Sequence, residues 1–383
     1  MDSTSELPSF ISIFKPVPDE RQTAKIKHCL TEIIFIAIVA TVAGADDWEE
    51  IEYFAIEKEE WLRKYLTLSN GIPSHDTIER CFSWINPKIF LQCFMEWTAM
   101  VSQVIKGGIV AIDGKTMRGT ADESNGKKAL HVVSAWFSET GMVLGQVKTH
   151  EKSNEITAIP ELLDLLDVTG CIVTIDALGT QKDIVRKIKK DKKADYVLAL
   201  KANHPLLYDE VIRYFDDRLH DVSLTADPLE SYQEIEKGHG RIEKRQYYLT
   251  PNIDWIAEKK EWEGLSAIGM VTYTSEKAEK KEQMRRYYLC SLKSIKPFAK
   301  AVRQHWGIES MHWSLDVTFN EDAKRVKKDR APENLAILHR LALNIMKMDK
   351  SKKTSLKKKR RIAGWNESFL ERIFENAMLK NES

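Results

Sequence analysis

The chain has few cysteines and no closely spaced pair of them. Its five cysteines are scattered over 383 residues, and no two form a CxxC pair. An odd, scattered set argues against a disulfide framework and against a thiolate zinc site. We therefore expect a protein of a reducing compartment, the cytoplasm.

Long apolar segments are also missing. Residues 1–27 lack the apolar core of a signal peptide. The longest apolar run, residues 33–45, covers 13 residues between Glu32 and Asp46, whereas a membrane-spanning helix needs about 20. This run predicts a buried helix, and we expect no contact with a membrane.

A strong charge of either sign is absent overall, since the formal net charge is +1. One segment is different, because residues 350–361 contain eight Lys or Arg and no acid. Such a run is either a frayed, solvated tail or an arm that contacts phosphates. The candidate phosphate contacts in it are Lys357, Lys358, Lys359, Arg360 and Arg361.

Internal repeats of solenoid length are not found, and the chain is too long for one ordinary core. Residues 1–104 have helical spacing and predict an all-helical domain. Residues 205–290 are polar and turn-rich, with candidate strands at 241–249 and 285–292, which predicts a β-rich insertion. Residues 291–349 predict helices again, and residues 350–383 form the predicted basic tail.

Between these segments, residues 105–204 alternate strands and helices. Strands are predicted at 108–113, 131–137, 142–150, 171–176 and 196–200, and helices at 154–166 and 181–190. This order indicates an α/β fold with a mixed sheet and flanking helices. It is the order of the ribonuclease H-like fold, whose first and fourth strands bring their acids together. Residues 291–349 would complete that core.

Three acids are the candidate catalytic residues. Asp113 and Asp176 each end an apolar run, in IVAIDGK and IVTIDALG, and Glu309 lies in the helical stretch HWGIESMHWSLD. Carboxylates at buried strand ends normally face a metal or a partner. We predict two Mg²⁺ ions, with Mn²⁺ as a substitute, bridged by Asp113 and held further by Asp176 and Glu309. Either aspartate alone could instead be a turn former or a helix cap.

Several residues near these acids could support the same chemistry. Lys115 and Arg118 follow Asp113 closely and could neutralise a phosphate. His305 and His312 share one helix face with Glu309 and could assist it, or could be satisfied polar residues at a domain seam. We expect Trp306 and Trp313, one position round the helix, to be packing residues.

These residues resemble a known family, the DDE-class insertion-sequence transposases, in particular the group of H-repeat-associated proteins. The resemblance is carried by ADDWEEIEYF, NGIPSHDTIERCFS, AIDGKTMRG, KSNEITAIPELLDLLD, GCIVTIDALG, ADYVLALKAN, HGRIEKR and HWGIESMHWSLDVTFNEDA. It implies a ribonuclease H-like core, a helical N-terminal associated domain, Mg²⁺ dependence and a catalytic triad of Asp113, Asp176 and Glu309. It also implies binding to double-stranded DNA, at the terminal repeats of an element, and a homodimer.

One departure from the wider superfamily concerns the third acid. The positions that often hold Tyr, Arg and Lys around it hold Val302, His305 and Asp316 here. The residue that binds the phosphate beside Glu309 is therefore open, and the candidates are His305, Arg303, Lys324 and Arg325.

The leading hypothesis is a cytoplasmic, nucleoid-associated DNA transposase that hydrolyses DNA at element ends and then joins the 3′-hydroxyl to target DNA. A metal-dependent nuclease that stops after hydrolysis uses the same site. A domesticated DNA-binding protein without catalysis is the alternative from another class.

Overall fold

A computed structural model describes residues 7–149, 155–220, 229–238, 241–277 and 280–377. The predicted strand end at residue 150, the predicted helix start at residue 154 and the HG of HGRIEKR lie outside these ranges. The N-terminal helices are α1 (Leu7–Ser12), α2 (Leu30–Ala43), α3 (Trp48–Glu57), α4 (Glu59–Leu62), α5 (His75–Trp84) and α6 (Pro87–Val101).

The apolar run of residues 33–45 forms most of α2, as predicted. Nearly every residue of α2 is buried, and the helix ends at Gly44, whose φ of 116° gives the left-handed C-terminal turn that favours glycine. Over the described part of the chain, no helix is both long and apolar enough to cross a membrane. The N-terminal region is thus helical, with α2 at its centre.

Five strands form the predicted core of the sheet, and their spatial order confirms the ribonuclease H-like fold. They are β1 (Ile109–Met117), β2 (Leu130–Phe137), β3 (Met142–Lys148), β4 (Ile172–Ile175) and β5 (Asp195–Leu200). Their order is β3-β2-β1-β4-β5. Strand β2 pairs antiparallel with both β1 and β3, whereas β4 pairs parallel with both β1 and β5.

The predicted β-rich insertion continues this same sheet. Its strands are β6 (Glu230–Gly238), β7 (Arg241–Thr250), β8 (Ala267–Lys277) and β9 (Lys280–Cys290). Strand β9 pairs antiparallel with β5, with Leu198 opposite Leu289, and the remaining strands follow as β8, β7 and β6. The insertion therefore widens the core sheet instead of forming a separate layer.

A helix that the sequence analysis missed opens this insertion. Helix α9 (Pro205–His220) has Leu207, Val211 and Phe215 buried. These residues are four apart and form one apolar stripe, a local signal of an amphipathic helix. The polar residues between them led to the wrong interpretation of a turn-rich segment.

Helices cover both faces of the sheet. One face carries α7 (Glu155–Leu165), α8 (Lys182–Arg186) and α9. The other face carries α10 (Ile295–Phe319), behind which lie α11 (Ala331–Met348), α12 (Leu356–Trp365) and α13 (Glu367–Ala377). The sheet is thus enclosed between helical layers, as parallel strands require.

Side-chain alternation decides which face each strand-end acid occupies. Val110 of β1 lies in the core under α7–α9, whereas Ala111 packs in the core that includes α10. Ile172 of β4 also packs against α10 residues. Asp113 and Asp176 are two and four residues further along, so both belong to the α10 face.

The basic segment of residues 350–361 is not a frayed tail. It enters α12, and α12 and α13 pack into the hydrophobic core of the N-terminal helices. Lys359 is buried and its Nζ lies 2.9 Å from Asp349 Oδ2. Arg360 is buried as well. Its guanidinium donates to Asp46 Oδ1 at 3.0 Å and to backbone carbonyls at the ends of α2 and α10.

The prediction that all five basic residues contact phosphate is therefore wrong for Lys359 and Arg360. Their side chains are occupied by protein partners inside the helical domain. Lys357, Lys358 and Arg361 are exposed on the other side of α12.

Neighbouring arginines on α12 offer a matched test of this packing. We expect Arg360→Gln to lower the free energy of unfolding by roughly 2–4 kcal/mol, because Asp46 and several buried carbonyls lose their donor. Arg361→Gln should change it by less than about 0.5 kcal/mol, because Arg361 is exposed. Urea unfolding followed by circular dichroism measures both, and equal effects would contradict the structure.

Candidate active site

Two aspartates meet where the parallel pairing of β1 with β4 stops, although β1 itself continues beyond its predicted end at residue 113 to Met117. Ile112 lies opposite Ile175 in this pair, so the next residues, Asp113 and Asp176, occupy adjacent positions about 4.8 Å apart between the strands. Asp176 Oδ1 also accepts a hydrogen bond from the backbone N–H of Leu178 at 3.0 Å. The strand pairing itself thus brings together two acids that are far apart in sequence.

Helix α10 carries the third acid across this face of the sheet. His305 Nδ1 lies 2.8 Å from Thr174 Oγ1 on β4, and His312 Nδ1 lies 3.6 Å from Asp113 Oδ2. Glu309 is between these two histidines on the helix and is exposed to solvent. Its charge contributes to raising the pKa of Asp113. The structure therefore brings Glu309 toward the aspartate pair.

The three carboxylates do not close into a metal cage. Among the described residues, no three or more His, Cys, Asp or Glu side chains converge closely enough to hold an ion by themselves. Mg²⁺ commonly takes only one or two protein carboxylates and completes its octahedron with water and phosphate oxygens. The pair of Asp113 and Asp176, half-buried and faced by Glu309, fits that donor set.

The pKa values of the aspartates reflect their crowding. Burial raises the pKa of Asp113 to about 7, and the nearby charges of Asp176, Glu155 and Glu309 act in the same direction. Burial also raises the pKa of Asp176, with Glu155 as the next cause. Without a cation, this end of the sheet therefore disfavours full ionisation.

Glu155 is an acid at this site that the sequence analysis missed. It lies in the first turn of α7, and its Oε1 is 2.8 Å from His131 Nε2 on β2. His131 Nδ1 is in turn 2.7 Å from Thr116 Oγ1. A side chain at Gly114 would collide with both Glu155 and His131. The glycine directly after Asp113 was the available signal that another group approaches the strand there.

The two histidines beside Glu309 are held neutral. Burial lowers the pKa of His305 to about 4, and the nearby Arg286 adds to this. Burial likewise lowers the pKa of His312 to about 3, and Arg340 contributes next. As neutral imidazoles they can accept or donate hydrogen bonds but supply no positive charge to a phosphate.

Lys115 does not reach toward a phosphate in this structure. Its side chain is buried, and its Nζ lies 2.7 Å from Asp316 Oδ1, 2.8 Å from Asp322 Oδ1 and 3.6 Å from Glu321 Oε2. Burial alone would lower the pKa of Lys115, but these carboxylates outweigh it and raise that pKa. Lys115 therefore joins β1 to α10 and to the turn after α10, and the prediction that Lys115 contacts a phosphate is corrected.

A buried charge network extends this junction. Arg340 of α11 donates to Glu321 Oε1 at 3.0 Å and to Ser134 Oγ at 3.2 Å, and His339 Nδ1 is 3.3 Å from the same Glu321 oxygen. Glu321 and Arg340 are fully buried. Burial alone would raise the pKa of Glu321, but Arg340 and His339 hold it well below its usual range.

The other predicted phosphate contacts divide between buried and exposed positions. Lys324 is buried with its Nζ 3.6 Å from Asp46 Oδ1, which corrects its assignment to phosphate binding. Arg118 and Arg325 are exposed. Arg303 is half-buried, and its Nη2 donates to Glu236 at 3.2 Å. Only the exposed pair is open to an external ligand.

The two tryptophans on α10 are not buried, contrary to expectation. Trp313 is 64% exposed and Trp306 is 39% exposed. The ring of Trp306 lies under the Arg286 guanidinium at 4.6 Å, a cation–π contact. Both rings flank the exposed Glu309 instead of filling the core.

Comparison with known proteins covers most of the chain. The family described as "Transposase DDE domain" matches residues 105–345, and the family described as "DDE_Tnp_1-associated" matches residues 11–98. The chain is 42% identical over 378 residues to "Putative transposase YncI" of Escherichia coli O157:H7, covering 97% of this chain and 95% of that protein.

A second relative and one solved structure extend this comparison. The chain is 37% identical to "H repeat-associated putative transposase YhhI" of Escherichia coli (strain K12), over 98% of this chain and 100% of that protein. A piggyBac transposase, solved as a synaptic complex with hairpin DNA, matches at a TM-score of 0.43 and 13% identity, over 98% of this chain and 79% of that one.

The repulsion at the strand ends is testable in metal-free protein. We expect Asp113→Asn to raise the melting temperature by a few degrees at pH 8, because it removes one of several crowded negative charges. The pKa of Asp113 is raised, so its ionisation destabilises the fold increasingly as pH rises toward and through 7. The gain should therefore shrink at pH 5.

Scanning calorimetry in chelator measures this effect. Asp183→Asn, at a side chain that is 85% exposed, is the control and should leave the melting temperature unchanged. A lower melting temperature for Asp113→Asn at pH 8 would show that the acids are not clustered.

The buried network gives a second prediction. We expect Glu321→Gln to cost roughly 3–5 kcal/mol of unfolding free energy, because Arg340 would keep a buried charge without its partner. The double variant Glu321→Gln with Arg340→Met should recover part of that loss, since no unpaired charge is left. Denaturant unfolding of the two variants tests this, and a double variant less stable than Glu321→Gln would refute it.

Proposed function

Because this chain belongs to the family of transposases with the DDE domain, we propose that it hydrolyses DNA at the ends of a mobile element and then joins the freed 3′-hydroxyl to target DNA. The observation that carries this proposal is the side-by-side position of Asp113 and Asp176 where the pairing of β1 with β4 stops, with Glu309 on the facing helix. A sheet end with a purely structural role would not need three carboxylates this close together.

In this proposal Asp113 and Asp176 would hold Mg²⁺, or Mn²⁺ in its place, and Glu309 would hold a second ion. Bound divalent ions would activate the attacking water or hydroxyl and stabilise charge on the phosphate. The protein's own contribution is positional. Strand pairing sets the distance between the aspartates, and the Lys115–Asp316 pair holds α10 against β1.

The partner is double-stranded DNA, both the element's terminal repeats and the target, and the acting species is a homodimer on DNA. Such a reaction takes place on chromosomal DNA, so a cytoplasmic, nucleoid-associated location is part of the proposal. Neutral His305, with its Nδ1 2.8 Å from Thr174 Oγ1, and neutral His312, with its Nδ1 3.6 Å from Asp113 Oδ2, do not act as cationic phosphate ligands.

Cleavage of the DNA that flanks the protein's own gene tests the proposal. Incubation of the full chain with these ends and Mg²⁺ should produce nicks at the element boundary, mapped on sequencing gels. Asp113→Asn, Asp176→Asn and Glu309→Gln should each lower the rate by about 10²-fold or more, because each removes charge from the reacting centre. Asp183→Asn should cleave at the wild-type rate.

A second assay separates the remaining functions. With a pre-cleaved end, a transposase joins the 3′-hydroxyl to a target plasmid, whereas a nuclease only hydrolyses it. DNA binding without cleavage in Mg²⁺ or Mn²⁺ would leave a DNA-binding protein as the surviving function and would overturn the catalytic proposal.

A further inference from the structure

Exposed cations near the aspartate pair are concentrated in two segments, residues 118–128 and 325–330, which we name the basic ridge. Together they contain seven Lys or Arg and three acids. The three acids can neutralise only part of this charge. One of them, Asp122, has its Oδ1 3.7 Å from Lys327 Nζ. Arg118 keeps 84% of its side chain exposed although its Nε is 3.7 Å from Asp322 Oδ2, and Arg330 keeps 48% exposed although its Nη1 is 3.6 Å from Glu20 Oε2. The ridge therefore has a local excess of accessible positive charge.

The two segments form one surface. Lys127 Nζ donates to the backbone carbonyl of Lys327 at 3.2 Å, and the Arg118 N–H donates to Asp322 Oδ1 at 3.5 Å. A Cβ at Gly119 would collide with the backbone of Lys324, so glycine permits this close approach. The segments are thus packed together although they are far apart in sequence.

The ridge adjoins the aspartate pair. Strand β1 runs from Asp113 to Met117 and enters the ridge at Arg118. A cavity of about 390 Å³ opens beside the ridge, lined by Lys127 and Lys128, by His131 and Glu155, and by Leu178, two residues beyond Asp176. A strand of DNA lying on the ridge would therefore be led to the strand-end acids.

Several other basic residues are occupied by acids of the protein, although Lys201, whose charge acts to lower the pKa of Asp176, is exposed. Lys115, Lys324, Lys359 and Arg360 are buried against acids of the protein itself. A polyanion approaching the aspartate pair meets negative charge, and accessible cations beside it are needed to offset that repulsion.

Resting on the proposed function, we infer that the basic ridge binds the phosphates of the DNA strand that enters the active site, and that the basic run of α12 does not. Phosphate contacts of this kind position the duplex without reading its sequence. The ridge therefore binds element ends and unrelated DNA through the same contacts.

Salt dependence of DNA binding tests this inference. Each phosphate contact contributes about −0.9 to the slope of log K against log salt concentration. The ridge variant Lys128→Gln, Arg325→Gln, Lys328→Gln changes three exposed residues. Its slope should be shallower by about 2.7, measured by fluorescence anisotropy between about 50 and 200 mM salt, without metal, on a labelled random-sequence duplex.

The matched variant Lys357→Gln, Lys358→Gln, Arg361→Gln removes the same charge from the exposed side of α12 and should keep the wild-type slope. Melting curves of both variants establish that they are folded. An unchanged slope for the ridge variant, or an equal change in both variants, overturns the inference. Failure of the proposed function has a different signature, namely absence of Mg²⁺-dependent nicking by the wild-type chain whatever the slopes.

Discussion

The parallel pairing of β1 with β4 is the constraint on which the site depends. It brings Asp113 and Asp176 to adjacent positions, where each of two charges about 4–5 Å apart repels the other by several kcal/mol at an effective dielectric of 20. Burial adds to this cost and raises the pKa of both groups. A fold keeps such an arrangement only where something else, such as a cation, balances it.

Contacts between side chains of the protein itself hold α10 in place. Lys115 reaches from β1 to Asp316 and Asp322, and Arg340 reaches from α11 to Glu321 and Ser134. These contacts connect the strand that carries Asp113 with the helix that carries Glu309. Buried ion pairs are weak contributors to net stability, but separating the partners of such a pair is costly, so the pairs favour one arrangement of the elements that carry them. Here that arrangement is the relative position of the acids.

Burial separates the basic residues of this protein into those paired inside it and those exposed on its surface. Two of the eight basic residues in the run that stood out in the sequence are consumed by packing, since Lys359 and Arg360 are bound to Asp349 and Asp46 within the helical domain. The less conspicuous residues 118–128 and 325–330 keep their cations on the surface beside the acids. Charge density along the chain is therefore a poor guide to where a polyanion can bind.

The sequence by itself determined the strands of the core, the helix α2 and the acids at the strand ends. These are local patterns, because apolar runs of strand length and helical spacing are visible within a few residues. The helix α9 had such a pattern too, and it was missed only through its polar background.

Tertiary structure decided the rest. Only the fold shows that Glu155 and His131 fill the space beside Gly114, that Lys115 faces Asp316 and that Trp313 is exposed. A charged side chain finds its partner in a distant part of the sequence. The burial of that side chain depends on which helices and strands pack around it. No local pattern contains that information, because the free energy of a charge is set by its surroundings in three dimensions.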